Sequence, residues 1–331
     1  MASCKISNLE VYDYESNQQI LRNLVEIFDS KNHQLVNDIQ LANLINSWIE
    51  ENNFDTTEIF KLVYSNITQI RTPSLLAIFY NFGIGTPRDP VSAFHWFEEA
   101  ANRHDPLSQC IIGQCYQDQA DFNTAFYWYK LSATKNHPEG QYHLAFLIIY
   151  TRTNNVEYNR EKAFELMSQA ALKNHLKAQY FLGNFYYDGT GISSNFEIAF
   201  NWYEKAASRG HQGAINKVAE CYEMGCGTSY NIRKAFYWSL KGASIDSPEE
   251  SFNNLDSDES KIRLADYYEN GIGTEKDIHQ SFRWRRRADE LGVAHWSDSS
   301  TISGPKNGPA FSVTCLYTDA FIDVITSQIQ I

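Results

Sequence analysis

Apolar and small residues along much of the chain recur with the period of an α-helix. In one stretch they occupy positions i, i+3, i+4, i+7 and i+8: Ala199, Trp202, Tyr203, Ala206 and Ala207. A matching stripe lies just upstream: Ala178, Leu182, Gly183 and Tyr186. Such spacing places each set on one face of a helix. The pattern predicts two amphipathic helices, in which small residues on the first face aromatic rings on the second.

The same pair of stripes returns along the chain. The second stripe begins at six places, which are 32, 38, 36, 36 and 46 residues apart: Ala93, Ala125, Ala163, Ala199, Ala235 and Ser281. Five of these six segments contain a tryptophan: Trp96, Trp128, Trp202, Trp238 and Trp284. The first stripe ends in a tyrosine column, in which only Ile148 differs: Tyr80, Tyr116, Tyr186, Tyr222 and Tyr268. The chain is therefore predicted to contain six two-helix repeats.

Two glycines separate the helices in four of the repeats: Gly83 and Gly85, Gly189 and Gly191, Gly225 and Gly227, Gly271 and Gly273. A glycine just past a helix end readily adopts the left-handed conformation that caps the helix. We expect the first glycine to do this and the second to keep the return tight. The second repeat has a shorter turn without glycine and the third has a longer one, which predicts reshaped connections there.

These motifs resemble the Sel-1-like repeat family, which is related to the tetratricopeptide repeats. The resemblance rests on the A-x-x-x-L-G-x-x-Y run from Ala178, the glycine turn that follows it, and the A-F-x-W-Y-x-x-A-A run from Ala199. It implies an all-α fold, a right-handed α-α superhelix (solenoid) of about six repeats. The repeats are expected at residues 74–105, 106–137, 138–175, 176–211, 212–244 and 259–292.

The segments outside the repeats are predicted to differ from one another. Residues 1–18 are predicted to be flexible. Residues 19–73 carry three apolar stripes, the last from Ile59 to Ile70, which predict a helical cap on the first repeat. Residues 245–258 are an acidic insertion, predicted to be an exposed loop. Residues 293–331 match no seventh repeat, so a short capping helix and a disordered end are both open.

Charge and composition limit the classes of function. The 331-residue chain has a formal net charge of -12 and a pI near 5.2, which argues against nucleic-acid binding. No apolar run approaches the roughly 18 residues that a membrane span requires. Six cysteines in this length do not suggest a disulfide scaffold, and no secretory signal opens the chain. We expect a soluble, cytoplasmic protein.

Three features that suggest a catalytic, nucleotide-binding or metal site are better explained by structural roles in the repeats. The G-x-G turns lack the third glycine of a dinucleotide-binding fingerprint. Cys115 and Cys221 precede the tyrosine column and are interpreted as core thiols. Four histidines lie about one repeat apart in the turns between repeats and are interpreted as polar or capping residues: His104, His137, His175 and His211. We expect no catalytic residue, no metal site and no cofactor.

One strong basic cluster surrounds Trp284: Arg283, Arg285, Arg286 and Arg287. It is interpreted as a solvated helix face or as a contact to the acidic insertion. A nuclear-targeting signal or a site for an anionic partner is the alternative.

Two columns on the first helices vary more between repeats than the framework does. They lie three residues apart and therefore share one helix face, which the resemblance to tetratricopeptide-like stacks places on the concave surface. We interpret the columns as a partner-binding surface with eight candidate residues: Gln114, Gln117, Asn184, Tyr187, Glu220, Glu223, Asp266 and Glu269. The acidic members predict a protein partner with a basic segment; the alternative is an ordinary solvated face.

The predicted function is a non-catalytic scaffold or adaptor that presents this surface to partner proteins in signalling or complex assembly. Relatives implied by the resemblance include activators of cell-wall polysaccharide synthases, so a regulatory activator of that kind is one alternative, although the chain has no C-terminal prenylation cysteine. A hydrolase that uses the groove is the other, although no G-x-S-x-G motif is present. The oligomeric state is left open.

Overall fold

The computed structural model describes residues 14–32, 38–68, 72–150, 160–245 and 254–289. Within them the chain forms fifteen helices and no strand: α1 (Tyr14–Asn32), α2 (Asp38–Glu51), α3 (Thr56–Ser65), α4 (Thr72–Phe82), α5 (Pro90–Asn102), α6 (Pro106–Asp118), α7 (Phe122–Thr134), α8 (Pro138–Tyr150), α9 (Arg160–Leu172), α10 (Leu176–Asp188), α11 (Phe196–Ser208), α12 (Gln212–Met224), α13 (Ile232–Ala243), α14 (Asn254–Asn270) and α15 (Ile278–Asp289). They divide into two compact units. The first contains α1–α8 together with Lys173–His175, and the second contains α9–α15.

Most of α1 and all of α2 and α3 lie in the segment predicted to be a helical cap. Leu24, Ile45 and Val63, one from each of α1–α3, are fully buried in the apolar core that also contains α4. Helix α1 begins at Tyr14, inside the stretch predicted to be flexible. Glu15 lies in its first turn, where a negative side chain is favoured by the helix dipole.

Helix α3 is shorter than its apolar stripe. It starts at an N-cap, because the side chain of Asp55 accepts two backbone N–H groups of the first turn. It ends at Ser65, because the side-chain amide of Asn66 donates to the carbonyl oxygen of Leu62 at 2.9 Å and satisfies a terminal acceptor. Ile70, the last residue of the predicted stripe, lies outside the described residues.

Helix pairs form the rest of both units, and we number the repeats 1 to 6 from α4–α5 to α14–α15. Within the first unit α4 packs on α5 and α6 on α7; within the second α10 packs on α11, α12 on α13 and α14 on α15. Each second helix also packs on the first helix of the next pair, as α5 does on α6 and α11 on α12. This sequential packing is that of an α-α solenoid, as predicted.

Glycine–tyrosine packing joins the two helices of a repeat. A Cβ atom on Gly183 would lie 2.5 Å from the ring of Tyr203, and one on Gly113 would lie 2.7 Å from the ring of Tyr129. Both tyrosine side chains are fully buried. The predicted contact between small residues on the first helix and aromatic rings on the second is therefore confirmed for tyrosine.

The repeat tryptophans are not core residues, and this corrects the prediction for Trp202. Its ring is half-buried, and the ammonium group of Lys205 lies 5.0 Å from the ring centroid. Trp202 is one residue, or about 100°, away from Tyr203 around the helix, so its large ring covers the flank of the buried stripe. The amphipathic stem of Lys205 can shield the part that remains exposed.

The paired glycines have two separate roles. All eight have a positive φ, between 66° and 72°. Gly225 is the left-handed C-cap of α12, as predicted for a first glycine. The second glycine does more than keep the return tight: a Cβ atom on Gly191 would lie 2.3 Å from the carbonyl oxygen of Arg160, the first residue of α9. Its lack of a side chain therefore permits close backbone contact between successive repeats.

A phenylalanine–tyrosine contact also joins successive repeats. In the second unit three pairs meet edge-on, with ring centroids 5.3–5.5 Å apart: Phe164–Tyr186, Phe200–Tyr222 and Phe236–Tyr268. In the first unit Phe60 of α3 meets Tyr80 in the same way, at 5.3 Å. A Cβ atom on Gly85 would also lie 2.0 Å from the carbonyl oxygen of Thr56, the first residue of α3. Helix α3 therefore takes the place of a second helix in front of repeat 1.

The acidic insertion is partly helical. Helix α14 begins at Asn254, so the last five residues of the predicted loop 245–258 belong to it. Residues 246–253, 1–13 and 290–331, on which the remaining insertion, N-terminal and tail predictions fall, lie outside the described residues. Among the described helices, none combines the length and apolarity needed to span a membrane.

Candidate functional site

The eight candidate residues lie on the first helices α6, α10, α12 and α14, and all of them are half-buried. Neighbouring first helices adjoin each other within each unit, since α6 contacts α8 and α12 contacts α14. The columns of consecutive repeats therefore contribute to one face in each unit. We call these residues the first-helix surface of their unit: Gln114 and Gln117 in the first unit, and the other six in the second.

In repeats 2 and 4 an amide side chain of the first-helix surface accepts a hydrogen bond from the buried tyrosine. The Tyr129 hydroxyl donates to Oε1 of Gln117 at 3.0 Å, and the Tyr203 hydroxyl donates to Oδ1 of Asn184 at 2.8 Å. Burial raises the pKa of both tyrosines, so each hydroxyl stays protonated and remains a donor. Part of each amide's hydrogen-bonding capacity therefore serves the packing of its own repeat.

Gln114 contacts a cluster of ionisable side chains in the first unit. Its amide nitrogen lies 3.0 Å from Nε2 of His143. The carboxylate of Glu139 lies 3.3 Å from Nε2 of His143 and 2.6 Å from Nε2 of His175, whose ring stacks on Tyr142. Burial alone would favour the neutral acid, but the charge of His175 and the hydrogen bonds from both histidines hold the pKa of Glu139 well below its ordinary value. Glu139 is therefore ionised, and its carboxylate binds both histidines within the unit.

In repeats 4 and 5 the surface contains an internal cation. Nζ of Lys217 lies 2.8 Å from Oε2 of Glu220 and 5.5 Å from the centroid of the Tyr187 ring. Burial by itself would lower the pKa of Lys217, but the hydrogen bond and charge of Glu220 outweigh it and raise the pKa. Lys217 is therefore charged and partly neutralises this part of the surface.

In repeat 6 the surface contains a second internal cation. The guanidinium group of Arg285 pairs with Asp266 at 2.9 Å and also with Glu269. All three side chains are about half exposed, so solvent screens these contacts. Burial, assisted by the charge of Glu223, raises the pKa of the neighbouring Tyr267.

Three of the four acidic candidates are thus paired with a cation of the chain itself, and the sequence interpretation missed both cations. Lys217 precedes Glu220 by three residues, a helical spacing that was visible in the sequence. Arg285 aligns with Tyr129 and Tyr203 in the repeat, and this shared position indicates a side chain that reaches the first-helix columns.

Two of the four histidines in the turns cap helices, as interpreted from the sequence, whereas His175 pairs with Glu139. His137 and His211 accept, through Nδ1, backbone N–H groups three residues further on, at 3.4 and 3.2 Å. The placement of His104 needs correction, because it lies one residue earlier in its turn. His104 has a left-handed backbone with a φ of 66°, and Asp105 provides the N-cap there.

The two cysteines that precede the tyrosine column are core thiols, as predicted. Cys115 and Cys221 are buried, and burial raises the pKa of Cys221 to about 12. A thiol with so high a pKa is a weak nucleophile at neutral pH. In the part of the chain that the structure describes, no three histidine, cysteine or carboxylate side chains are grouped so as to hold a metal ion.

Comparisons with known proteins agree with this architecture. The model of the Sel1 repeat family matches six segments: residues 74–105, 106–137, 138–175, 176–211, 213–247 and 258–293. No curated protein is significantly similar to the chain in sequence.

Two solved structures are similar in fold. The first is c5321, a protective antigen present in uropathogenic Escherichia coli strains and displaying an SLR fold, with a TM-score of 0.61 and 22% identity. The similarity covers 77% of this chain and 57% of c5321, so this chain spans little more than half of that protein. The second is a Sel1 repeat protein from Oxalobacter formigenes, with a TM-score of 0.60, 21% identity, and coverage of 75% of this chain and 96% of its own. At these identities the likeness concerns the fold alone.

Proposed function

The chain belongs to the Sel1 repeat family, and on that basis we propose that it is a non-catalytic scaffold that binds partner proteins through the first-helix surface. Proteins built from Sel1 repeats are generally protein-interaction scaffolds. The specific role that we propose is an adaptor in complex assembly or signalling. A cytoplasmic location is part of the proposal, because six cysteines in 331 residues do not suggest a disulfide scaffold.

The observation that carries the proposal is the contrast between a constant framework and a variable surface. Alanine, glycine and tyrosine recur at the buried positions of repeats 2 and 4, whereas the half-buried columns change from amides to carboxylates along the chain. Packing constrains the framework but leaves the columns free to differ. A surface that varies on a constant scaffold is suited to selective recognition.

The charge balance of the surface supports a partner with a basic segment. In repeats 5 and 6 the surface has four carboxylates: Glu220, Glu223, Asp266 and Glu269. Among the residues that the structure describes, two cations, Lys217 and Arg285, form ion pairs with three of them. An ionised carboxylate has about four acceptor sites, so a paired one can accept another donor. A lysine or arginine of the partner would therefore add to these ion pairs and neutralise the excess negative charge.

The test is neutralisation of the four carboxylates in the full chain, with Glu220→Gln, Glu223→Gln, Asp266→Asn and Glu269→Gln combined. Neutral replacements are preferable to lysines, because a lysine beside Lys217 or Arg285 would add like-charge repulsion. We expect at least one protein that co-purifies with the wild type from native cell extract to be reduced about ten-fold with the variant. Quantitative mass spectrometry measures the change.

A matched control removes the same charge elsewhere: Glu161→Gln, Glu197→Gln, Glu204→Gln and Glu275→Gln combined, all at exposed positions off the first-helix surface. The control should retain every partner, and both variants should keep the wild-type thermal midpoint. Retention of every partner by the first-helix variant, or equal loss with the control, would contradict the assignment of binding to these residues.

A further inference from the structure

The last two repeats separate their charges between two layers of helices. The second helices α13 and α15 contain three and four basic residues, and the two together have one acidic residue. The first helices α12 and α14 contain two and five acidic residues, against one and two basic ones. Both α13 and α15 pack on α14. Their outward side is therefore basic, although the chain has a net charge of -12.

We call this outward side the basic face and define it by five side chains: Arg233, Lys241, Arg283, Arg286 and Arg287. The buried residues of α13 lie on the opposite side of the helix: Ala235, Ser239, Gly242 and Ala243. Lys234 and Arg285 are excluded, since Lys234 contacts Tyr222 of α12 and Arg285 pairs with Asp266 and Glu269 of α14. Lys241, Arg283 and Arg287 form no ion pair with any residue that the structure describes, so their charge is not neutralised there.

Two cations of the basic face are held in place by tryptophan. Nζ of Lys241 lies 4.5 Å from the centroid of the Trp238 ring, and the guanidinium carbon of Arg287 lies 4.8 Å from that of Trp284. Each cation follows its tryptophan by three residues, so the two helices repeat the arrangement in the same register. A cation that is already ordered on an aromatic ring loses less side-chain entropy when it binds an anion.

This arrangement is confined to part of the array. The residues that align with Lys241 and Arg287 in repeats 1 and 2 are Glu99 and Leu131, which follow Trp96 and Trp128. Glu99 is paired with Arg103 at 2.8 Å. In repeat 4 Lys205 also lies over its tryptophan, 5.0 Å from the ring centroid of Trp202, but α11 contains two acidic residues besides that lysine. The tryptophan framework therefore does not require a cation at this position, and in repeats 5 and 6 the cation belongs to a helix whose charged residues are mostly basic.

We propose that the basic face binds an acidic segment of a partner protein, at a site separate from the first-helix surface. Charge complementarity and exposed aromatic side chains support this: Tyr237 is 59% exposed beside the cations of α13. A short acidic segment fits better than a long polyanion. Packed helices are about 8–10 Å apart, and the Debye length is about 8 Å at physiological salt, so the acidic layer behind would repel a polyanion that extends past α13 and α15.

The test measures fluorescence anisotropy of a fluorescein-labelled decaglutamate peptide titrated with the full chain at low salt. We expect saturable binding that weakens as salt is raised, because exposed charges are screened. The variant Lys241→Glu/Arg283→Glu/Arg287→Glu should bind about ten-fold more weakly or worse, a loss of 1.4 kcal/mol or more. These side chains do not contribute to the core, so the thermal midpoint should stay close to that of the wild type.

The matched control reverses three exposed cations outside the basic face: Lys61→Glu, Lys135→Glu and Arg160→Glu. It changes the net charge equally and should alter the affinity less than about two-fold. Equal weakening in both variants would overturn the proposal, since only total charge would then matter. Tighter binding of a ten-residue oligothymidylate than of the peptide would overturn it in favour of a nucleic-acid site.

One further variant tests whether the chain's own insertion occupies the basic face: Asp246→Asn/Glu249→Gln/Glu250→Gln. Unchanged peptide affinity supports the proposal, whereas a gain of about ten-fold or more would replace the external partner with an intramolecular one. None of these outcomes bears on the first-helix surface, whose four carboxylates remain intact in every variant here.

Discussion

Repeats 4 and 6 use the same position of the second helix to reach the first-helix columns, but in different environments. In repeat 4 the position is Tyr203, which is fully buried and donates one neutral hydrogen bond to Asn184. In repeat 6 it is Arg285, which is half exposed and pairs with two carboxylates. The repeat geometry therefore determines where the donor points, and burial determines how much its contact contributes to stability.

The largest expected effect is the loss of the buried ring. Tyr203→Ala should lower the free energy of unfolding by about 3–5 kcal/mol, because it removes a fully buried aromatic side chain that packs on Gly183. Trp202→Ala, at the half-buried neighbouring position, should cost clearly less. Urea denaturation followed by circular dichroism compares the two, and an equal or larger loss for Trp202→Ala would contradict the assignment of the core.

The contact of Glu139 with two buried histidines tests whether an ion pair contributes more to stability when it is shielded from solvent. Glu139→Gln should cost roughly 1.5–3 kcal/mol at pH 6, since it weakens charge-assisted hydrogen bonds to His143 and His175. The pKa of Glu139 is lowered in the folded chain, so its contribution is complete above the unfolded pKa of about 4.3 and falls as the pH drops further. Thermal midpoints of both proteins between pH 3 and 6 should converge at the acid end; a constant difference would contradict this.

The neutral hydrogen bond of repeat 4 should contribute less than the ring. Tyr203→Phe keeps the packing on Gly183 and removes only the hydroxyl that binds Asn184. We expect a loss of about 1 kcal/mol, and no dependence on salt, because neither partner is charged. Urea denaturation at two salt concentrations measures it. If the hydroxyl and the amide bind each other, the double variant Tyr203→Phe/Asn184→Ala should lose little stability beyond that lost by Tyr203→Phe.

The smallest effect is expected for the exposed ion pairs of repeat 6. Arg285→Gln should cost at most about 1 kcal/mol, because solvent screens Asp266 and Glu269 and the arginine side chain loses entropy when it is held. The cost should fall further in 0.5 M salt. A loss as large as that of Tyr203→Ala would show that repeat 6 depends on its ion pairs and would remove the contrast with repeat 4.

The repeat pattern was predictable because it depends on local spacing. Ala178, Gly183 and Tyr203 are identified by helical periodicity, and Gly225 by the left-handed cap that follows a helix. The core thiol Cys221 was identified by its column. These predictions succeed because each concerns neighbours within one repeat, where sequence distance and spatial distance agree.

Contacts between repeats and across helices were not predictable in the same way. Gly191 looked like a turn residue, yet its absent side chain admits the backbone of Arg160, which belongs to the preceding repeat. The glutamates of the first-helix surface looked free to bind, yet Lys217 and Arg285 already pair with three of the four acidic side chains. No periodic pattern reports which flexible side chain reaches which carboxylate.

The sequence by itself determined six two-helix repeats, the faces that each helix buries, and the columns that vary. Hydrophobic periodicity is sufficient for this, because burial of one helix face is the dominant stabilising term. Only the tertiary structure decided that Tyr203 and not Trp202 is the core ring, that α3 acts as a second helix before repeat 1, and that the last repeats separate acidic and basic layers. Such features depend on the angle and separation of packed helices, which set the few ångströms that distinguish a buried side chain or an ion pair from an exposed one.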